Sequence, residues 1–164
     1  GSDEPFARLI GRLERADPVE RDRLLARFPA VAATAPIAER TGGRRTETPG
    51  GIAQTMTMLA RQGQAPVVSG AEAVARSFES GHSFIPVIYV SDPASVTGLE
   101  PARLSSRRVM FLLPVTDNVT ACSRDLGRFR GVCPEWGVLD TLASPGRQAE
   151  FGLDMLAELR GAAR

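Results

Sequence analysis

The apolar positions near the start of the chain recur at helical spacing. Four of them occupy the i, i+3, i+4 and i+7 positions of one helical face: Phe6, Leu9, Ile10 and Leu13. Asp17, Pro18 and Glu20 then follow the order of an N-cap, a first helical residue and a capping-box acid. A second apolar stripe comes after them, at Leu24, Leu25 and Phe28. The pattern predicts two helices in close succession, the second ending at Pro29.

The pattern becomes less regular over the next thirty residues. An Ala-rich stretch over 30–40 is expected to be partly helical, with a break or a new start at Pro36. Residues 42–51 contain four glycines, one proline and no apolar side chain, so we predict a loop there. Ile52, Met56 and Leu59 return to helical spacing, and Gly63 is placed to end that helix.

Beyond residue 64 the apolar runs become short and rich in branched side chains. Strands are predicted at 67–68, 84–90 and 109–115, with a brief edge strand at 131–133. Helices are predicted over 71–79, from Pro134, and near the end, while 91–108 reads as loop with a helical turn near Glu100. The fold class expected is α/β (mixed α+β), with a helical lobe over 1–63 packed on a small mixed sheet and C-terminal helices over 64–164. We expect one domain spanning 1–164.

Composition excludes several kinds of chemistry. The chain has 20 arginines and no lysine, which rules out a Walker-type phosphate loop and Schiff-base catalysis. His82 is the only histidine, so we expect no metal site and no cofactor. No apolar run approaches the roughly 20 residues that span a bilayer. We therefore expect a cytoplasmic protein with no membrane partner.

Few nucleophiles remain. Cys122 and Cys133 lie eleven residues apart without CxxC spacing, and we expect them to be free thiols. A catalytic arrangement would need a cysteine or serine with His82 as base and Asp92 or another acid as the orienting group. His82 lies in a polar turn, where a solvated histidine is the simpler interpretation, so no catalytic residue is assigned.

Two groups of residues are candidates for binding. Ser69 and Gly70 stand between a predicted strand and a helix, where backbone N–H groups attract an anion. Arginines and a glutamine flank the glycine-rich loop and the helix after it, and these are the nucleic-acid candidates: Arg40, Arg44, Arg45, Gln54 and Arg61. A helix over 36–41, a turn and a helix over 50–62 would make a helix-turn-helix. A solvated arginine loop explains the same residues without nucleic acid.

Four segments share an order with a known family. They are Pro66 to Ala75 with its Ser-Gly-x-x-Ala turn, the Tyr-containing run Ile85 to Asp92, Arg108 to Pro114, and Cys133 to Asp140 with its apolar-Leu-Asp step. Over about residues 64–160 this order resembles the C-terminal domain of AbiEi-type antitoxins. The resemblance implies a bacterial antitoxin of a toxin-antitoxin system, without enzymatic activity, that represses its own transcription and counteracts a nucleotidyltransferase toxin.

The function expected from the sequence is a non-catalytic regulatory domain of antitoxin or transcription-regulator type. Its expected partners are a protein, with a nucleotidyltransferase toxin as the candidate, and DNA. Two alternatives stay open. One is a small enzyme that uses a Cys or Ser nucleophile with His82, and the other is a structural module that only binds a partner.

Overall fold

A computed structural model describes residues 3–74 and 85–162 and shows an α/β fold. Over these residues eight α-helices pack on one mixed sheet of six strands. The helices are α1 Glu4–Glu14, α2 Pro18–Ala26, α3 Phe28–Ala32, α4 Ile52–Arg61, α5 Ala71–Val74, α6 Asp117–Cys122, α7 Pro134–Leu142 and α8 Gln148–Ala162. The strands are β1 Arg44–Glu47, β2 Val67–Ser69, β3 Val87–Val90, β4 Val109–Pro114, β5 Ser123–Asp125 and β6 Arg130–Val132.

The strands lie in the order β1-β4-β3-β2-β6-β5. The pairs β1/β4, β3/β2 and β6/β5 are antiparallel, whereas β4/β3 and β2/β6 are parallel. All four side chains of β3 are buried, which fits the continuous apolar run that a doubly covered central strand requires.

The register divides the sheet into two faces. Ser69 and Tyr89 point to the face covered by α7, because both hydroxyls donate to Asp140 of that helix. Ile88 alternates to the other face and lies between Val68 and Leu112, all three fully buried. Segment 92–97 also lies on that second face.

The N-terminal helices pack against α7. The Phe6 ring meets Trp136 edge-on, with the ring centroids 5.8 Å apart. Asp17 caps α2 as its sequence predicts, accepting from the Glu20 N–H at 2.8 Å. The contact between Phe6 and Trp136 joins α1 to α7, the helix that covers the sheet.

The fold class predicted from the sequence is confirmed, and so are most of the periodic elements. The helices at α1, α4, α7 and α8 form where the apolar stripes predict them, and so do the strands at β2 and β4. Helix α2 also forms, but it ends at Ala26, and Phe28 and Pro29 begin α3 instead of ending the second helix. Gly63 adopts a φ of +74° beyond α4, the left-handed conformation that favours glycine at a helix end.

Several local predictions were wrong. Residues 44–47 of the predicted loop form β1, because their backbone pairs with β4 without help from an apolar pattern. Instead of an α-helix over 36–41 there is one turn of 3-10 helix at Ile37–Glu39. The predicted edge strand is β6, which lies inside the sheet between β2 and β5.

Other differences concern element limits. The helical turn forms at Pro93–Ser95 rather than near Glu100, whose carbonyl instead accepts from the Glu47 N–H of β1. The run predicted as a strand over 84–90 is a strand only from Val87. Elements α6 and β5 have no counterpart in the sequence prediction. The later part of the predicted helix over 71–79, together with His82 and Phe84, lies outside the described residues.

Candidate functional site

A buried polar network lies between the sheet and α7. At its centre is Asp140, whose side chain has no exposed surface. Asp140 Oδ2 accepts from Ser69 Oγ at 2.6 Å and from the Tyr89 hydroxyl at 2.7 Å. Trp136 Nε1 donates to the same tyrosine oxygen at 3.2 Å. The network therefore ties β2, β3 and α7 together through polar atoms.

Arg40 supplies the counter-charge to this carboxylate. Its Nη2 lies 2.8 Å from Asp140 Oδ1, an ionic contact that lacks the alignment of a hydrogen bond. Nη1 donates to the Tyr89 hydroxyl at 2.8 Å, and Nε donates to the Ala35 carbonyl at 3.1 Å. The guanidinium also lies 4.9 Å from the centre of the Phe6 ring, within cation–π range.

Burial and charge shift the pKa values of two members of the network. For Arg40, burial opposes the charge, but the nearby Asp140 and Tyr89 outweigh it, so the pKa is raised. Burial, and then the negative charge of Asp140, raise the pKa of Tyr89 well above its usual range. The network thus keeps a charged arginine beside a neutral phenol.

This network is closed to solvent. The residue with the largest exposed fraction is Arg40 at 9%, while Ser69 and Asp140 have none and Tyr89 has 2%. A substrate therefore has no path to these groups in the folded protein. Their arrangement holds β2, β3 and α7 in place, and groups able to bind a ligand lie at the surface instead.

Of the two residues predicted to bind an anion, Ser69 belongs to the buried network and Gly70 follows it in the chain. The Ser69 hydroxyl donates to a carboxylate of the protein itself, Asp140. Gly70 is buried with a φ of +69° and directly precedes α5. In the described structure the Ser69 hydroxyl is bound to Asp140 and Gly70 is buried, so neither residue presents a donor to an external anion.

The five candidate nucleic-acid residues lie in four separate places. Arg40 is in the buried network, and Arg44 donates to the carbonyls of Pro93 and Val96 at 3.0 and 2.7 Å. Arg45 is exposed on the edge strand β1, whereas Gln54 and Arg61 are exposed on α4. Because a single 3-10 turn replaces the predicted first helix and β1 replaces the predicted turn, no helix-turn-helix presents these residues together.

An open groove runs between α4 and the hairpin formed by β5 and β6. It has a volume of about 690 Å³. Its walls are apolar side chains and the carbon stems of polar ones, from ten residues: Ala53, Met56, Thr57, Ala60, Arg61, Ala65, Pro66, Arg128, Phe129 and Arg130. We call this feature the α4 groove.

The charge of the α4 groove is entirely positive. Arg61, Arg128 and Arg130 line it, all three are exposed, and no acidic residue does. Arg130 donates to Ser123 Oγ at 2.9 Å, and among the described residues none of the three arginines forms an ion pair. Phe129 adds an aromatic wall to this cationic rim. The groove has the chemistry to receive an acidic ligand with apolar parts.

Of these three arginines, only Arg61 was predicted from the sequence as a binding residue. Arg128 and Phe129 sit in a hairpin whose strands have three residues each, too short for alternation to be recognised. The available signal was the turn Asp125-Leu126-Gly127, in which the Asp125 carboxylate accepts from the Gly127 N–H at 2.7 Å.

The described residues show no group of three or more His, Cys, Asp or Glu side chains able to hold a metal ion. Among their helices, none is both long and apolar enough to cross a bilayer. His82 lies outside the described part of the chain, whereas Asp92, Cys122 and Cys133, its candidate partners in a catalytic arrangement, lie within it. Comparison with protein-family models, with curated proteins and with solved structures found no match to this chain.

Proposed function

We propose that this protein is a non-catalytic regulatory domain of antitoxin type, which binds a protein partner through the α4 groove. The observation that carries the proposal is the cationic groove itself, with its three arginines free of ion pairs in the described structure. The occupant we propose is an acidic segment of the partner whose apolar side chains pack against Met56 and Phe129.

Charge complementarity argues for an acidic occupant. Three arginines around an apolar floor make carboxylate contacts and aliphatic packing available within one site. Arginine and aromatic side chains in a pocket are also the residue types that contribute most to protein binding. The phosphates of a nucleic acid would contact the same arginines, but they would make no favourable contact with the apolar floor.

The antitoxin class rests on the resemblance of residues 64–160 to AbiEi-type antitoxins. Three features of that resemblance are the Ser-Gly turn, the tyrosine in a strand and the Leu-Asp step in a late helix. In the folded chain these features meet, because Ser69 and Tyr89 both donate to Asp140. A pattern whose parts interact is more specific than a chance order of apolar runs. The partner proposed on this ground is a nucleotidyltransferase toxin.

The test is binding of the purified protein encoded by the adjacent gene, measured by calorimetry. The double variant Arg61→Glu/Arg128→Glu reverses two charges of the groove, and we expect it to weaken binding at least tenfold, as for charge pairs at an interface. The matched control is Arg103→Glu, since Arg103 is exposed and remote from the groove lining. It should bind as the wild type does.

Two results contradict the proposal. One is an adjacent gene product that does not bind the wild-type protein, and the other is an equal loss of affinity in the Arg103→Glu control. A mobility-shift assay at low salt with the protein's own upstream DNA tests the alternative that the groove binds DNA. If the groove variant loses DNA retardation while the protein partner still binds, the groove serves DNA instead.

A further inference from the structure

The two cysteines stand at the base of the β5–β6 hairpin. Cys122 ends α6 directly before β5, and Cys133 directly follows β6. Because Ser123 pairs with Val132, the next position outward places Cys122 opposite Cys133. The Cys133 N–H donates to the Cys122 carbonyl at 3.0 Å and contacts its Sγ at 3.1 Å. The backbone therefore holds the two residues in cross-strand register.

The side chains point at each other. The two Sγ atoms are 2.6 Å apart, although both residues are free cysteines. Two sulfurs held this close on facing strands reach bonding distance without any rearrangement of the backbone. Both residues are half-buried, so part of each is exposed to solvent.

The two thiols differ in their tendency to ionise. Cys133 occupies the N-cap position of α7, where a helix N-terminus favours negative charge. Its contact with the Cys122 thiol and the Trp136 N–H lower its pKa, although burial opposes them. The pKa of Cys122 is raised, first by its side-chain hydrogen bond with Cys133 and then by burial. Cys133 therefore has the greater thiolate character and is the attacking thiol, and Cys122 is placed to resolve the mixed disulfide because its Sγ lies 2.6 Å from that of Cys133.

We propose that Cys122 and Cys133 form a reversible dithiol–disulfide site that reacts with low-molecular-weight disulfides such as oxidised glutathione, with Cys133 as the attacking thiol. The Cys133 thiolate attacks one sulfur of the external disulfide, breaks its S–S bond and releases one thiol. Cys122 then loses its proton to solvent and attacks the Cys133 sulfur, releasing the second thiol. In total, the two protein thiols lose two electrons and become a disulfide, and the external disulfide gains them and becomes two thiols.

The bond would close the hairpin at its base. Residues 123–132 lie between the cysteines and include the Arg128, Phe129 and Arg130 wall of the α4 groove. Oxidation is therefore expected to stabilise this hairpin by restricting the unfolded chain. We expect the melting temperature of the oxidised protein to rise by about 5–10 °C.

The test incubates the full chain with oxidised glutathione, quenches with acid and counts free thiols by maleimide labelling and intact mass. The wild type is expected to lose both thiols together as a monomer without a glutathione adduct, and dithiothreitol should restore both. Cys122→Ser should stop at a mixed disulfide on Cys133. Cys133→Ser should react at least about tenfold more slowly than Cys122→Ser. Circular dichroism of both serine variants checks that they fold.

Several outcomes overturn the proposal. They are two free thiols in excess oxidised glutathione, a stable glutathione adduct on the wild type, or disulfides formed only between molecules. Equal reactivity of the two serine variants overturns the assignment of Cys133 as the attacking thiol. An unchanged melting temperature overturns closure of the hairpin in the native fold. None of these measurements uses the groove, so their result is independent of the proposed function.

Discussion

Asp140 is a fully buried carboxylate at the centre of the polar network. A buried carboxylate is costly unless it is paired and hydrogen-bonded, and this one faces Arg40, Ser69 and Tyr89. Removing one partner of such a pair leaves an uncompensated charge, which is worse than removing both. The network therefore favours the native packing over others, since an alternative packing would have to bury the same charge without its partners.

We predict a non-additive response when the ion pair is dissected. Asp140→Ala should lower the free energy of unfolding by about 3–5 kcal/mol, because the guanidinium of Arg40 stays buried without its counter-charge. Arg40→Met should cost a similar amount for the converse reason. The double variant Arg40→Met/Asp140→Ala should be more stable than the sum of the singles predicts. Urea unfolding measures all three.

The control for this cycle is Arg103→Met, which removes an exposed arginine and should change stability by no more than about 0.5 kcal/mol. Strict additivity of the two network substitutions would show that Arg40 and Asp140 do not act as a pair.

At the scale of elements, the close approach of α5 and α7 depends on a glycine. A Cβ at Gly137 would lie 2.6 Å from Val74 Cγ2 and 3.1 Å from the Gly70 carbonyl oxygen. The second contact is with backbone, which does not move aside easily. Gly137 therefore sets how near α7 can lie to the turn after β2, and with it the position of Asp140.

Two glycine substitutions are expected to act in opposite directions. Gly137→Ala should destabilise the protein by about 1–3 kcal/mol through overpacking. Gly11→Ala, in the middle of α1, meets nothing within 4 Å and should stabilise it by about 0.5–1 kcal/mol through helix propensity. Thermal and urea unfolding of the two variants side by side measures the contrast. Stabilisation by both substitutions would contradict the tight α5–α7 contact.

The elements also show where sequence reasoning worked. Helices with a clear apolar stripe were predicted because 3.6-residue periodicity is local and survives in α1, α2 and α4. Strand β1 was missed because its sequence, Arg-Arg-Thr-Glu, has no apolar residue. It forms because β4 presents a free edge to its backbone, a fact that no local pattern contains.

At the scale of the whole molecule, the buried network makes the stability of the protein depend on pH in the alkaline range. Tyr89 is the only tyrosine in the chain, and burial raises its pKa well above the usual value of about 10. The native state therefore keeps the phenol proton at a pH where the unfolded chain releases it. Stability is unaffected by this group below about pH 10 and falls above it, by about 1.4 kcal/mol per pH unit.

We accordingly expect tyrosinate absorbance to appear only together with unfolding. Fluorescence of Trp136, the only tryptophan, reports the folded state, because its ring lies between α1 and the sheet. On raising the pH, the two signals should change in one coincident transition. The urea-unfolded protein is the control and should titrate near pH 10. Tyrosinate formed near pH 10 while Trp136 remains native would contradict the prediction.

The α4 groove illustrates how far a site can be anticipated. Arg61 was predicted as a binding residue from its place on α4, but the reason given, a helix-turn-helix, does not exist in the fold. Its neighbours Arg128 and Phe129 are over sixty residues away in sequence and reach the groove because β6 pairs with β2. A surface built by strand order is not readable from the segments that form it.

The sequence by itself determined the fold class, the helices with periodic apolar faces and the shortage of catalytic groups, since these depend on composition and on neighbours three or four residues apart. It also marked Ser69, Tyr89 and Asp140 through a family-like pattern. Only the tertiary structure decided that these three meet, that Arg40 is buried with them, that the two cysteines touch, and that three arginines share one groove. Each of those facts depends on pairing between distant strands and helices, where local sequence carries no distance information.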